Sequence, residues 1–234
     1  MGAEQLNRKL AAILYADVAG YSRLTGEDEE GTHRALSACL DAITASIEKH
    51  DGKVLHFAGD AVLADFASVV NALNCAVSIQ QDLSGRNENL PDDRKLQFRM
   101  GINLGDVIVD RNEIYGDGVN VAARLESLAE PGGICISRPV LDQVKNKLEL
   151  GYEFLGEQSV KNIAAPVEVY KVRLEPEAAG MVIGKRLGAG QWWRLALAAV
   201  VVLLVGAVSV AVWMRPGRAF GPFGVVYTTP IKKP

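Results

Sequence analysis

Cysteine is scarce in this chain: Cys39, Cys75 and Cys135 are the only three in 234 residues. Their odd number, wide spacing and lack of any C-x-x-C exclude a disulfide framework and a zinc cluster, and point to a reducing compartment. No apolar run precedes residue 10, so the amino terminus lacks the shape of a signal peptide. Leu6 stands where a myristoylation signal needs Ser or Thr. There is no internal repeat and no low-complexity tract. Positive charge is also lacking where a nucleic acid would need it. Residues 1–174 hold 18 basic and 26 acidic side chains, a net of −8, and an acidic surface repels a phosphate backbone, so nucleic acid is excluded as a partner. Against these absences, 49% of the residues are hydrophobic, too many for a disordered chain. The first 174 residues suffice for one domain with a real core.

One stretch carries no charge at all. Residues 195–214, LALAAVVVLLVGAVSVAVWM, are 20 in number; at about 1.5 Å per residue a helix of that length spans about 30 Å, the thickness of bilayer hydrocarbon. Trp192, Trp193 and Arg194 flank one end, and Trp213 and Arg215 the other, the residues that membrane interfaces favour. A transmembrane helix at 195–214 is therefore expected, preceded by a juxtamembrane linker at 175–194 and followed by a short tail at 215–234. Lys and Arg counting does not orient it: three basic residues precede the span and four follow it.

Residues 8–174 alternate between strand and helix patterns. LAAILYADV (10–18) reads as a buried strand ending in an acid. Glu27 to His50 reads as one long helix with Leu36, Leu40, Ile43 and Ile47 on its apolar face. Lys53 to Phe66 reads as strand, turn, strand, with the turn at Ala58-Gly59-Asp60. A helix follows over Val69–Leu83. Leu96–Val109 is a strand region with an expected break at Gly105-Asp106. Asp117 is placed to cap a helix ending near Leu128. Short strands follow at Ile134–Ile136, Tyr152–Leu155 and Val167–Val172. The pattern predicts an α+β sandwich with helices packed on a sheet.

Three features carry chemistry. Asp17 ends an apolar strand, where a carboxylate is costly unless paired or metal-bound. The turn after it can present backbone N–H groups to phosphate oxygens. Asp60 sits at the tip of the hairpin. If the two strands are neighbours, Asp17 and Asp60 converge, and two convergent carboxylates suit magnesium, which keeps positions for water and phosphate. Asn120 and Arg124, four residues apart on one helix face, suit a ribose and a charged phosphoryl transition state. The alternative for each is plain: turn acids for Asp17 and Asp60, and surface pairing of Arg124 with Asp117 or Glu126.

Taken together, LAAILYADVAGYSRL, GKVLHFAGDAVLADF, FRMGINLGDVI, IYGDGVNVAARLESLAEPGGICIS and VKNIAAPVEVYKV resemble the class III adenylate/guanylate cyclase catalytic domain, in order and over nearly all of residues 8–173. The likeness is to proteobacterial forms that precede a membrane helix. It implies a ferredoxin-like βαββαβ-type sandwich that converts ATP, with GTP as the alternative, to a 3′,5′-cyclic nucleotide and pyrophosphate. It implies that Asp17 and Asp60, with the carbonyl of Val18, hold two magnesium or manganese ions. The backbone of Ala19, Gly20, Tyr21 and Ser22, with Lys161, would hold the phosphates. Asn120 would orient the ribose, and Arg124 would stabilise charge on the α-phosphate. One protomer supplies the aspartates and its partner Asn120 and Arg124, so the resemblance implies a homodimer. A cytoplasmic substrate places the domain on the cytoplasmic side of the inner membrane, anchored by a single pass.

The match departs from pattern at the two base-selecting positions. His56 stands where adenylate cyclases usually have Lys, and Glu113 where they usually have Asp or Thr; guanylate forms usually have Glu and Cys. Imidazole can donate to adenine N1 and a carboxylate can accept from its amine, so adenine is the expected base with relaxed selection. The alternatives are a packed strand histidine at 56 and a weak or inactive domain that only binds nucleotide or dimerises.

Overall fold

In the computed structural model, residues 7–111, 113–160, 163 and 165–184 are described. The apolar run Ala11–Leu14 is buried on both sides of β1 (Asn7–Val18), which makes it a central strand. Two helices follow, α1 (Tyr21–Glu27) and α2 (Glu29–Lys49); α2 is the long helix expected from Glu27 to His50, and α1 is a short helix before it. Asp28 separates them. Its backbone is extended and its carboxylate accepts from Gly31 N at 2.9 Å, capping α2 and favouring a new start over continuation. Leu36, Cys39, Ile43 and Ile47 form the buried face of α2, with Leu40 only partly buried.

The chain then forms β2 (Gly52–Ala58), β3 (Ala61–Phe66), α3 (Val69–Asn87) and β4 (Phe98–Asp110). After these come β5 (Glu113–Tyr115), α4 (Asp117–Leu128), β6 (Ile134–Ser137) and α5 (Arg138–Val144). β7 (Gly151–Gln158), β8 (Val167–Arg173) and β9 (Val182–Ile183) complete the described elements. The sheet order is β2-β3-β1-β4-β6-β8-β7-β9, with β5 paired to β4. The pairs are antiparallel except β4–β6 and β7–β9. β1, α1/α2, β2, β3, α3 and β4 make the expected βαββαβ unit, and the remainder extends its β4 edge.

Alternation along β1 divides the interior. Ala12, Leu14 and Ala16 face a core shared with Ile43, Leu73, Phe98, Met100 and Val140, beneath α2, α3 and α5. Ala11 and Ile13 face a smaller core with Val107, Ile114 and Ala122, beneath α4. Each fully buried Leu, Ile or Phe contributes about 1.5–3 kcal/mol, so the larger layer supplies most of the stability.

Three expectations are corrected. β4 runs unbroken through Gly105-Asp106. Gly105 serves close approach: a Cβ there would stand 3.2 Å from Cα of Gly118 on α4. Gly101 does the same more severely, because its Cβ would meet the α4 backbone at Ala122 O, 2.1 Å away. Asp117 is the first residue of α4 and makes no capping bond; Gly116, at φ 123°, holds the cap position. Residues 175–184, read as linker, include a turn at Pro176–Ala178 and strand β9 paired to β7. The expected membrane helix at 195–214 lies outside the described residues, among which no helix is long and apolar enough to cross a membrane.

Candidate active site

β1 and β3 are antiparallel neighbours with Ala16 opposite Val62. That register brings the end of β1, carrying Asp17, beside the β2–β3 turn, where Gly59 adopts φ 66° and Asp60 follows it. The two acids meet. Burial raises the Asp60 carboxyl above its ordinary range, and a hydrogen bond shared with the Asp17 carboxylate raises it further. Like charges held this close repel, and a bound cation relieves that repulsion. Tyr15, two residues before Asp17, is also raised, by burial first and then by the charges of Asp17, Glu126 and Asp60.

The pair has a third member that sequence reasoning missed. Arg99 lies opposite Asp17 in the β1–β4 register, with its Nη2 3.2 Å from Asp17 Oδ2. Its Nε stands 2.8 Å from Oε1 of Glu126 on α4. This second contact is an ion pair without hydrogen-bond alignment, since neither atom has a hydrogen-bond partner. Glu126 is 5% exposed. Burial lifts its carboxyl to about 7 against the opposing pull of Arg99, and the charges of Asp17 and Asp60 add to the rise. A signal for Arg99 was present: a lone charge in the otherwise apolar stretch FRMGI must find partners.

The loop after Asp17 is shaped by Gly20, which is left-handed at φ 70° and precedes α1 without a side-chain cap. Among the described residues, the N–H groups of Gly20, Tyr21 and Ser22 find no protein acceptor. Val18 N bonds to Asp17 Oδ1 at 3.0 Å, and Ala19 N is tied to Gln97 O at 2.8 Å. Ala19 is therefore a support of the loop, whereas 20–22 keep free donors.

α4 separates two tasks by face. Val121, Ala122, Leu125 and Glu126 are buried, and Asn103 Nδ2 donates to Gly118 O at 3.1 Å, pinning the helix to β4. Asn120 and Arg124 are exposed on the outer face. Neither has a side-chain hydrogen bond or ion pair among the described residues. Arg124 pairs with neither Asp117 nor Glu126; the latter is committed to Arg99.

His56 and Glu113 come together, although β2 and β5 are not paired in the sheet. A bulge in β2 between Val54 and His56 bends the strand and re-aims the side chains beyond it. His56 Nδ1 stands 3.9 Å from Glu113 Oε1, with both side chains about half exposed. Tyr115 OH donates to the other oxygen, Glu113 Oε2. Lys161 lies outside the described residues.

The donor set fits divalent cations that keep substrate and water ligands. It offers two carboxylates, and among the described residues no group of three or more His, Cys, Asp or Glu side chains converges. A magnesium ion bound by one or two carboxylates plus phosphate oxygens needs no more. Asp17 is on an open face, its side chain 26% exposed. A cavity of about 620 Å³ lies elsewhere, along α3 and the start of β4, lined by Gln81, Ser84, Asn87 and Lys95.

Comparison with known proteins covers the same region. The model of the adenylate and guanylate cyclase catalytic domain matches residues 4–173. Over 171 residues, 73% of this chain, the sequence is 43% identical to "Putative adenylate cyclase 3" of Rhizobium meliloti (strain 1021), and spans 29% of that relative's length. Among solved structures, an adenylate/guanylate cyclase/hydrolase from Silicibacter pomeroyi is 39% identical with a TM-score of 0.68, covering 73% of this chain and all of the other. The adenylyl cyclase CyaB from P. aeruginosa shares the fold at 24% identity and a TM-score of 0.64, covering 74% of this chain and 98% of the other.

Proposed function

The chain belongs to the adenylate and guanylate cyclase catalytic domain family, and we propose that it converts ATP to 3′,5′-cyclic AMP and pyrophosphate as a membrane-anchored homodimer. The observation that carries this reading is the convergence of Asp17 and Asp60, one from the end of β1 and the other from the β2–β3 turn.

In this reading, Asp17, Asp60 and the Val18 carbonyl hold two magnesium or manganese ions. The ions would neutralise the triphosphate and ease loss of the ribose 3′-hydroxyl proton. Arg99 and Glu126 keep the Asp17 carboxylate aimed outward. The N–H groups of Gly20, Tyr21 and Ser22 receive phosphate oxygens, with Lys161 as a further phosphate contact. Asn120 and Arg124, exposed and unpaired, serve the cleft of the partner subunit. Asn120 orients the ribose while its 3′-oxygen attacks the α-phosphorus. Arg124 meets the charge that builds there as pyrophosphate leaves. Such catalysis is chiefly positioning and charge neutralisation. His56 and Glu113 read the base. The uncharged run 195–214 supports a single-pass anchor in the inner membrane, with the catalytic head in the cytoplasm.

The test is a product assay on purified protein at concentrations that secure dimers, with ATP and GTP side by side and magnesium or manganese. Cyclic AMP as the main product is expected. Absence of any cyclic nucleotide from either substrate overturns the proposal. A second reading, a nucleotide-binding or dimerisation module without turnover, is favoured by one observation: a His56–Glu113 pair occupies the base-selecting positions in place of the usual Lys and Asp.

A further inference from the structure

We infer that Tyr115 is a specificity-determining residue, which fixes the Glu113 carboxylate for adenine and against guanine. The inference rests on the cyclase reading above and deepens it.

Glu113 and Tyr115 are two apart on β5 and flank the buried Ile114, so strand alternation sends both side chains to the same face. The Tyr115 hydroxyl donates to Oε2 of Glu113. This bond also raises the phenol above its ordinary range, keeping it protonated as a donor. Oε1 is left pointing toward His56, 3.9 Å from Nδ1. That distance is too long for a hydrogen bond between them, so both groups keep capacity for a third partner.

An adenine edge presents an amine donor beside the N1 acceptor. Oε1 can accept from the amine, and the imidazole can donate to N1. A guanine edge reverses the pattern, with the O6 acceptor where adenine has its donor, and a fixed carboxylate there repels it. The repulsion lasts only while the carboxylate stays in place. A half-exposed glutamate has three rotatable bonds and would otherwise swing away, or accept from guanine N1–H instead. Tyrosine is stiffer, with two side-chain torsions, and its hydroxyl holds Glu113 before the nucleotide arrives. Such preorganisation lowers the cost of binding the right base and keeps the penalty on the wrong one. Tyr115 acts through Glu113 and is a positioning residue.

The experiment is initial-rate kinetics of the full-length protein with ATP and with GTP, comparing wild type, Tyr115→Phe, Glu113→Gln and the double variant. Tyr115→Phe is expected to raise KM for ATP and to shrink the ATP:GTP ratio of kcat/KM by about five- to tenfold, with a smaller change in kcat. The double variant is expected to discriminate no worse than Glu113→Gln alone, because Tyr115 has no other route to the base. Should Tyr115→Phe make too little product, competition of ATP and GTP against a fluorescent ATP analogue gives the ratio of their affinities, which is expected to shrink in the same direction. An unchanged ratio, or equal losses with both nucleotides, overturns the inference. If Glu113→Gln lowers the ratio while Tyr115→Phe does not, the inference alone fails. If Glu113→Gln also leaves it unchanged, the base-reading assignment fails and takes the inference with it.

Discussion

Nη2 of Arg99 stands 3.2 Å from Oδ2 of Asp17, directly across the β1–β4 pair. The same guanidinium reaches inward to Glu126 on α4, so one side chain joins a partly buried carboxylate to a buried one. The arrangement leaves Glu126 with its charge poorly solvated, and this has a measurable consequence.

Stability should fall as pH rises across the window set by Glu126. Its carboxyl is lifted from an ordinary 4.5 to about 7, so between these values the folded protein holds a proton that the unfolded chain has released. Folding is favoured below about 4.5, and the advantage is gone above about 7. The full contribution is on the order of 3 kcal/mol. Asp60 is raised too and acts in the same sense. Glu126→Gln removes the Glu126 share, and denaturant unfolding at a series of pH values should show a shallower decline than wild type. Parallel curves would show that Glu126 does not titrate in this window.

Two inactive chains should make an active pair. Asp17→Ala and Arg124→Ala lie in different halves of the proposed shared cleft, so each homodimer has two damaged sites. A heterodimer of the two has one site with both lesions and one with none. Mixing them should recover up to about half of the wild-type rate per heterodimer, since one of two equivalent sites is intact. No recovery in verified heterodimers would refute the shared cleft. Arg124→Ala alone should lower kcat much more than nucleotide affinity, because its charge matters most at the transition state.

Changing His56 to Lys should separate a weakened enzyme from a domain without turnover. A lysine ammonium reaches further than imidazole and carries a permanent charge beside Glu113. A charge-assisted bond is worth about 1.5–3 kcal/mol, so about tenfold or more in kcat/KM for ATP is expected. A variant that binds ATP more tightly and still yields no product would favour the nucleotide-binding reading.

The placement of several candidate site residues was legible because it is local. Asp17 ends an apolar run, Asp60 follows the turn glycine, and Asn120 and Arg124 share a helix face; each is a pattern over a few neighbouring residues. Arg99 was missed because its partners are 82 residues before it and 27 after it in the chain, and only the sheet register and the α4 contact bring them together. The glycine at 105 misled for a related reason. In sequence a strand glycine reads as an interruption, whereas here it makes room for a helix that crosses later. The short helix α1 went unread because its seven residues are too few to show a helical period. The His56–Glu113 encounter depends on the β2 bulge, which has no sequence signature as strong as a hairpin glycine.

The two-residue strand β9 has a practical meaning for anyone handling this protein. It occupies part of the β7 edge, with Tyr152 and Glu153 beside Val182 and Ile183. Trimming the gene just after residue 174, where the strand-and-helix pattern ends, would strip that cover and bare hydrogen-bonding groups to neighbouring molecules, an invitation to clumping. A fragment prepared for crystals or assays should therefore run past Gly184.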